Sequence, residues 1–358
     1  MRFIKITLVL FIISVLAFGG VSYWLYRSLN APVQHDKTDK FIEIPKGSTP
    51  NQIISKLTAE GIIKSETATQ IYLRTFGNSE NLKAGEYQFS SPITPLQVLR
   101  ELEKGEERTT KLTIPEGYTR FDIAKRIAEK FPQQNLPMDD KAILSLMNDT
   151  SRIKDIAPTA KNLEGYMYPS TYSFPRDAEP REIIETMVEQ FKKIWKPEWN
   201  ERTRALGRTP QEIVTIASLI ETESKFEEER PIVASVIYNR LSKSIPLGID
   251  QTAVYIAKMQ NRWDGTIHKS DLETDSPYNT RKYGGIPPGP ISSVSESAFK
   301  AALYPAQTDY IYYVLNVEKN DGSHHFYASA AEFERGKAAY QIWLEQQRRE
   351  KRAEEQNN

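Results

Sequence analysis

Two carboxylates one residue apart, Glu221 and Glu223, close an apolar run, IVTIASLIETESKF, and are the residues of this chain best suited to proton transfer. Thr209-Pro210-Gln211-Glu212 has the form of a capping box with proline at the first helical position, so a helix starts here and continues through that run. At about 100° per residue, Ile213, Ile216, Ala217 and Ile220 form a buried stripe that Val214 and Leu219 widen. Glu221 and Glu223 then fall roughly 80° to either side of its centre, where glutamate is normally unwelcome. Glu223 lies over Ile220 and Leu219, whereas Glu221 lies over Ser218 and Ala217, so Glu223 has the more apolar seat. Burial disfavours the charged form and raises a carboxyl pKa, and a carboxylic acid that survives to neutral pH is what a departing glycosidic oxygen needs. Ser224 follows directly and is placed to orient it. The competing reading pairs a helix-edge glutamate with Lys225, Arg230 or Arg240, and the run Glu227-Glu228-Glu229 reads as solvated surface.

The composition narrows the chemistry to carboxylates and hydroxyls. Lys plus Arg is 47 and Asp plus Glu is 47, so no basic surface stands ready for nucleic acid. The absence of Cys removes disulfides, thiolate metal sites and cysteine nucleophiles. Four histidines, His35, His268, His324 and His325, are too scattered for a multi-histidine metal centre. Neither common Gly-rich phosphate loop is present. No metal or organic cofactor is therefore expected.

The elements that must position the carboxylates follow from the chain's length and pattern. A chain of 358 residues predicts two folded units. Residues 6–26, ITLVLFIISVLAFGGVSYWLY, carry no charge and are long enough to span a bilayer. Arg2 and Lys5 keep residues 1–5 in the cytoplasm, and Tyr23, Trp24 and Tyr26 suit the far interface. The rest is then outside the cytoplasmic membrane; a cleaved signal peptide ending near Ala17-Phe18-Gly19 is the alternative. Residues 27–40 are polar and aperiodic and read as a stalk, with structure starting at Phe41. FIEIPKGSTPNQIISKL predicts a strand, a turn and an amphipathic helix, and the same pattern returns as LTIPEGYTRFDIAKRI, with Ile114, Pro115, Gly117, Thr119, Ile123 and Ile127 matching Ile44, Pro45, Gly47, Thr49, Ile53 and Leu57. Residues 82–89 form a strand between the copies. Region 41–131 is thus either a duplication that makes core or a set of LysM-like, glycan-binding β/α units. Residues 100–111 read as a solvated helix end and turn. A seam is expected over 132–160, broken by Pro137 and Pro158. In NLEGYMYPSTYSF (162–174), aromatics surround Glu164, as core or as a stacking surface for sugar rings. A last helix opens at Ser329 to Glu332 with Phe333, Tyr340 and Leu344 on one side, and residues 346–358 are a charged tail.

In order along the chain, IPKGST, KAGEYQF, LEGYMYPSTY, ASLIETES, VASVIYNRL, PLGIDQTAVY, DLETDSPYNT, GGIPPGPIS and GSHHF resemble the membrane-anchored endolytic murein transglycosylases of the MltG or YceG-like family. The resemblance implies a single-pass membrane protein of α+β class, with LysM-like β/α units followed by a mainly helical, lysozyme-like catalytic domain over 160–345 with extended loops. It makes Glu223, the second glutamate of the pair, catalytic. It also implies cleavage of the β-1,4 bond between N-acetylmuramic acid and N-acetylglucosamine in nascent glycan strands, leaving 1,6-anhydromuramic ends, close to the peptidoglycan synthases. Asp250 is a candidate for a sugar hydroxyl or acetamido contact, with a turn-satisfying aspartate as the alternative. Tyr278 and Asn279 offer a ring and an amide that suit an N-acetyl sugar, and Gly285-Ile286-Pro287-Pro288-Gly289-Pro290 is either a stiff wall beside a cleft or a plain turn. The chain departs from the family pattern at Gly248, where Gln is common, at Gln251, where Pro usually follows the Asp, and at Arg281, which replaces an aromatic. His324 and Phe326 read as structural. The rival functions are a water-using muramidase, with Glu221 or Asp250 as second carboxylate, and a non-catalytic glycan-binding scaffold.

Overall fold

Residues 2–105, 109–132 and 138–357 are described by a computed structural model. It is mostly helical, with small two-stranded sheets, and divides into two units, Met1–Thr110 and Lys111–Asn358.

The first unit opens with α1 (Arg2–Asn30), whose 29 residues measure about 44 Å at 1.5 Å per residue, enough to cross a bilayer. It continues with β1 (Ile42–Ile44), α2 (Pro50–Ala59), α3 (Glu66–Thr75), β2 (Gly85–Tyr87) and α4 (Pro95–Lys104). β1 and β2 pair antiparallel, Ile42 opposite Tyr87 and Ile44 opposite Gly85. Thr49 with Gln52 and Thr94 with Gln97 form capping boxes, each with proline at the start of its helix, which fixes where α2 and α4 begin. Ile44, Ile54, Leu57, Phe89, Val98 and Leu102 close the core. The expected stalk is shorter than 27–40. α1 runs on to Asn30 with Leu29 buried, and the Val33 backbone exchanges both hydrogen bonds with Ile93. His35 N–H then donates to Ser91 Oγ at 2.9 Å. An aperiodic polar segment can still find backbone partners on a neighbouring strand edge, and side-chain pattern does not report that.

The second unit contains β3 (Thr109–Thr113), α5 (Arg120–Lys130), α6 (Asp140–Leu146), β4 (Thr171–Pro175), α7 (Pro180–Ile194), α8 (Pro197–Ala205), α9 (Pro210–Glu223), α10 (Arg230–Ser242), α11 (Gln251–Met259), α12 (Lys269–Leu272), α13 (Glu296–Leu303), β5 (Tyr312–Leu315), β6 (His324–Tyr327) and α14 (Ala330–Asn357). α9 lies at its centre, against α8, α10, α11 and α13. The second copy of the strand–turn–helix pattern belongs here. Ile114, Ile123 and Ile127 join the core of Leu163, Met167 and Phe174, so the chain divides at Thr110–Lys111 and not over 132–160. The two copies share local form, with positive φ at Gly47 and Gly117 and capped helices after Thr49 and Thr119, but the apolar face of each is claimed by a different core. Pro137 and residues 106–108, part of the helix end and turn expected over 100–111, lie outside the described residues.

The aromatic cluster at 162–174 makes core. Tyr166 is fully buried edge-on to Phe191 at 5.3 Å, and Phe174 meets Phe131 at 6.0 Å. Gly165, at φ 80°, has no room for a side chain, since a Cβ there would come within 2.5 Å of Pro290. The neighbouring Glu164 is buried, and both its oxygens accept the Arg120 N–H at the start of α5, at 3.0 Å each. Burial raises its pKa from an ordinary 4.5 to about 8, against the Arg120 bond, which lowers it. Between those two values the folded chain holds a proton that the unfolded chain has released, so this group's contribution to stability is present below the unfolded pKa and is lost as pH rises through 8. The melting temperature is expected to fall as pH rises from 5 to 9, and Glu164→Gln to flatten that slope; differential scanning calorimetry across the range checks it.

Candidate active site

α9 is built as the spacing predicts. Thr209 N–H donates to Glu212 Oε2 at 2.7 Å, closing the capping box, and every residue from Ile213 to Glu221 is buried. The helix ends three residues before Phe226. Ser224 turns to an extended conformation (φ −127°, ψ 125°), and its hydroxyl donates to the Phe226 carbonyl at 2.9 Å. Ser224 therefore makes the turn and leaves the orientation of Glu223 to another residue.

The two glutamates have different fates. Glu221 is the less solvent-exposed of the two, a difference the helical wheel did not resolve. Its Oε1 accepts from Arg230 Nη2 at 2.8 Å, and its Oε2 accepts from the Ser295 N–H at 2.8 Å and the Ser295 hydroxyl at 2.5 Å. Burial raises its pKa, and Ser295 and Arg230 pull it back. Both oxygens are committed to holding α9, α10 and α13 together. Glu223 is half-buried and, among the described residues, has one hydrogen-bond partner, the Tyr313 hydroxyl on β5, which donates to Oε2 at 2.5 Å. Oε1 makes no hydrogen bond among the described residues. Burial is the largest influence on Glu223 and lifts its pKa above the ordinary carboxylate range. Tyr313 opposes that rise, the Asp250 charge adds to it, and His324 and Arg240 oppose it.

Asp250 stands at the start of α11, and its side chain does not cap the helix. It is half-exposed and paired with Arg281, whose Nε donates to Oδ1 at 2.6 Å and whose Nη2 lies 2.5 Å from the same atom. The unusual Arg281 is thus the cation that faces Asp250. Gly248 sits at φ 64° with its N–H on the Thr280 carbonyl at 2.9 Å, a left-handed position that suits glycine. Tyr278 packs half-buried on Tyr255 at 5.1 Å between ring centroids. Asn279 is fully buried, and its amide donates to the Leu272 and Thr274 carbonyls and accepts the Arg281 N–H. That amide is spent on the turn and has nothing left for a sugar. The Gly285–Pro290 stretch has no regular structure and lies beside α9, with the Pro288 carbonyl accepting from Gln211 and the N–H of Ile291, just after the stretch, donating to Ser218 Oγ at 3.0 Å.

Sequence reasoning missed Tyr313 and misjudged Glu229. Glu229 is largely buried: Oε1 accepts the His324 N–H at 2.8 Å, and Oε2 lies 2.9 Å from His324 Nδ1. The His324 ring meets that of Tyr313 edge-on at 5.3 Å. In IYYVLN a run of β-branched and aromatic residues that suits a strand is visible, but which tyrosine faces a glutamate ninety positions earlier is not.

A match to the YceG-like family spans residues 42–339. The chain belongs to that family. An endolytic murein transglycosylase of Bacillus subtilis (strain 168) is 34% identical over 346 residues, 91% of each chain. One from Streptococcus pneumoniae serotype 2 (strain D39) is 30% identical over 302 residues, 77% of this chain and 54% of the relative. The crystal structure of a YceG-like protein from Listeria monocytogenes superposes with a TM-score of 0.55 at 33% identity, covering 82% of this chain and 98% of that one. With its single apolar N-terminal helix, this family member spans the cytoplasmic membrane once and carries its catalytic unit on the extracytoplasmic side.

Proposed function

We propose that this chain is a lytic transglycosylase that cuts nascent peptidoglycan strands internally at the β-1,4 bond between N-acetylmuramic acid and N-acetylglucosamine, leaving 1,6-anhydromuramic ends. The observation that carries the reading is the pairing of Glu221 and Glu223, one locked in ion pairing and the other half-buried with an oxygen free for proton transfer. Glu223, protonated through its raised pKa, gives its proton to the glycosidic oxygen as the bond to the muramic C1 breaks. The muramic C6 hydroxyl attacks C1 and returns its proton to the same carboxylate, so one group serves as acid and then base. The nucleophile is part of the substrate, and its proximity replaces the activated water of a two-carboxylate hydrolase. Asp250 contacts the sugar in this reading and Tyr278 contributes a ring, while Ser224 and Asn279 act through the turns they hold. The β1–α2–α3–β2 order of the first unit supports a LysM-like, glycan-gripping role, and the membrane anchor supports action beside the synthases that extrude the strands.

Incubating the full-length protein in detergent with glycan strands in H2(18)O separates the readings. Anhydro ends without label are the expected product; labelled reducing muramic ends would establish the muramidase, and intact strands the scaffold.

A further inference from the structure

The β5–β6 hairpin is pinned to α10 at three places. Asn239 Nδ2 donates to the Thr308 and Tyr310 carbonyls at 2.8 and 2.9 Å, and Arg240 Nε donates to the Ile311 carbonyl at 2.6 Å. Glu229, at the foot of α10, takes both the backbone N–H and the Nδ1 side of His324. These fix the strand that carries Tyr313 and the ring that Tyr313 leans on. We propose that Tyr313 is the positioning residue of the site: its hydroxyl occupies Oε2 of Glu223 and reserves Oε1 for the proton that goes to and returns from the sugar, with the His324–Glu229 pair holding the tyrosine in place. This rests on the transglycosylase reading for its consequence, though not for its geometry.

The hydrogen-bond inventory argues for the assignment. A tyrosine hydroxyl has one proton, and that proton is donated to Oε2, so an acidic proton on Glu223 has to sit on Oε1. Burial and the neighbouring Glu223 raise the Tyr313 pKa well above its ordinary value, so the phenol keeps its proton throughout a turnover. After the first transfer the same hydroxyl stabilises the carboxylate that waits for the C6 proton. The charged and titratable groups around Glu223 come from separate elements: Tyr313 on β5, His324 on β6 with Glu229 behind it, Arg240 on α10, and Asp250 at the start of α11.

The test is Tyr313→Phe in the full chain, which keeps the ring and removes the hydroxyl. Loss of a hydrogen bond to the carboxylate raises the pKa of Glu223, so the alkaline limb of the rate profile is expected to move up by about one pH unit. Turnover is expected to fall by roughly tenfold or more with KM within about twofold. Replacing Tyr313 with 3,5-difluorotyrosine, a stronger donor of the same shape, is expected to move the limb down. The pKa of Glu223 is also read directly from its protonated-carboxyl infrared band, isolated as the difference between each protein and its Glu223→Gln counterpart. That readout needs no turnover, so it judges the proposal even if wild-type protein yields no anhydro ends. A Glu223 pKa unmoved by either replacement overturns the positioning role; wild-type protein without anhydro ends, but with the shifts intact, overturns the transglycosylase reading alone.

Discussion

Full-length protein carrying Glu223→Gln is expected to release anhydromuramic ends at least about a thousand times more slowly than wild type, because the amide has the shape of the acid but no proton to give. Glu221 cannot take over, since its oxygens are held by Arg230 and Ser295. Asp250 is a poor substitute, because its half-exposed side chain is already paired with Arg281. The variant should bind glycan and melt at or above the wild-type temperature, as a half-buried carboxyl raised in pKa by burial is a cost to folding that the amide removes. Liquid chromatography with mass detection of the strand ends, alongside a thermal melt, gives both answers. The pH dependence follows from the same group. In the proposed mechanism Glu223 starts protonated, and its raised pKa favours that state, so turnover is expected to fall as pH rises through it.

Arg230→Met is expected to destabilise the catalytic unit by about 3–5 kcal/mol, the usual cost of stranding one member of a buried ion pair. The Glu221 and Arg230 side chains are 3% and 5% exposed, and the Arg230 Nη1 also donates to Ser295 Oγ at 2.6 Å, so its removal opens the junction of α9, α10 and α13. The loss is predicted to shrink at low pH, since without its cation Glu221 binds a proton more readily and becomes neutral in place. Adding Glu221→Gln to Arg230→Met removes the stranded charge and should recover much of the loss. Chemical denaturation of the four members of this cycle at pH 5 and pH 8 checks both statements.

Local information placed a large part of the molecule. The membrane-crossing apolar run, the helices α2 and α5 that follow their matching turns, and the capped start and burial of α9 all follow from patterns that repeat every 3.6 residues or sit at fixed offsets from a cap or turn. The same patterns singled out Glu223 for its apolar seat, and burial does raise its pKa; they did not show that Glu221 is the less solvent-exposed of the two. Periodicity reports which side of a helix turns inward; it does not report what waits there.

What the folded chain alone decided is partnership. Glu221 is structural because Arg230 and Ser295 arrive from other elements, and Glu223 keeps one oxygen open because, among the described residues, only the Tyr313 hydroxyl reaches it, from a strand ninety positions on. Asn279, a plausible sugar amide by residue type, is consumed by its own turn, and Glu229, one of three glutamates in a row, is withdrawn from solvent by His324. Residue type and short-range spacing set what a side chain is able to do. Whether it is free to do it depends on hydrogen bonds and charges from distant segments, which have no local period and exist only once the cores have closed.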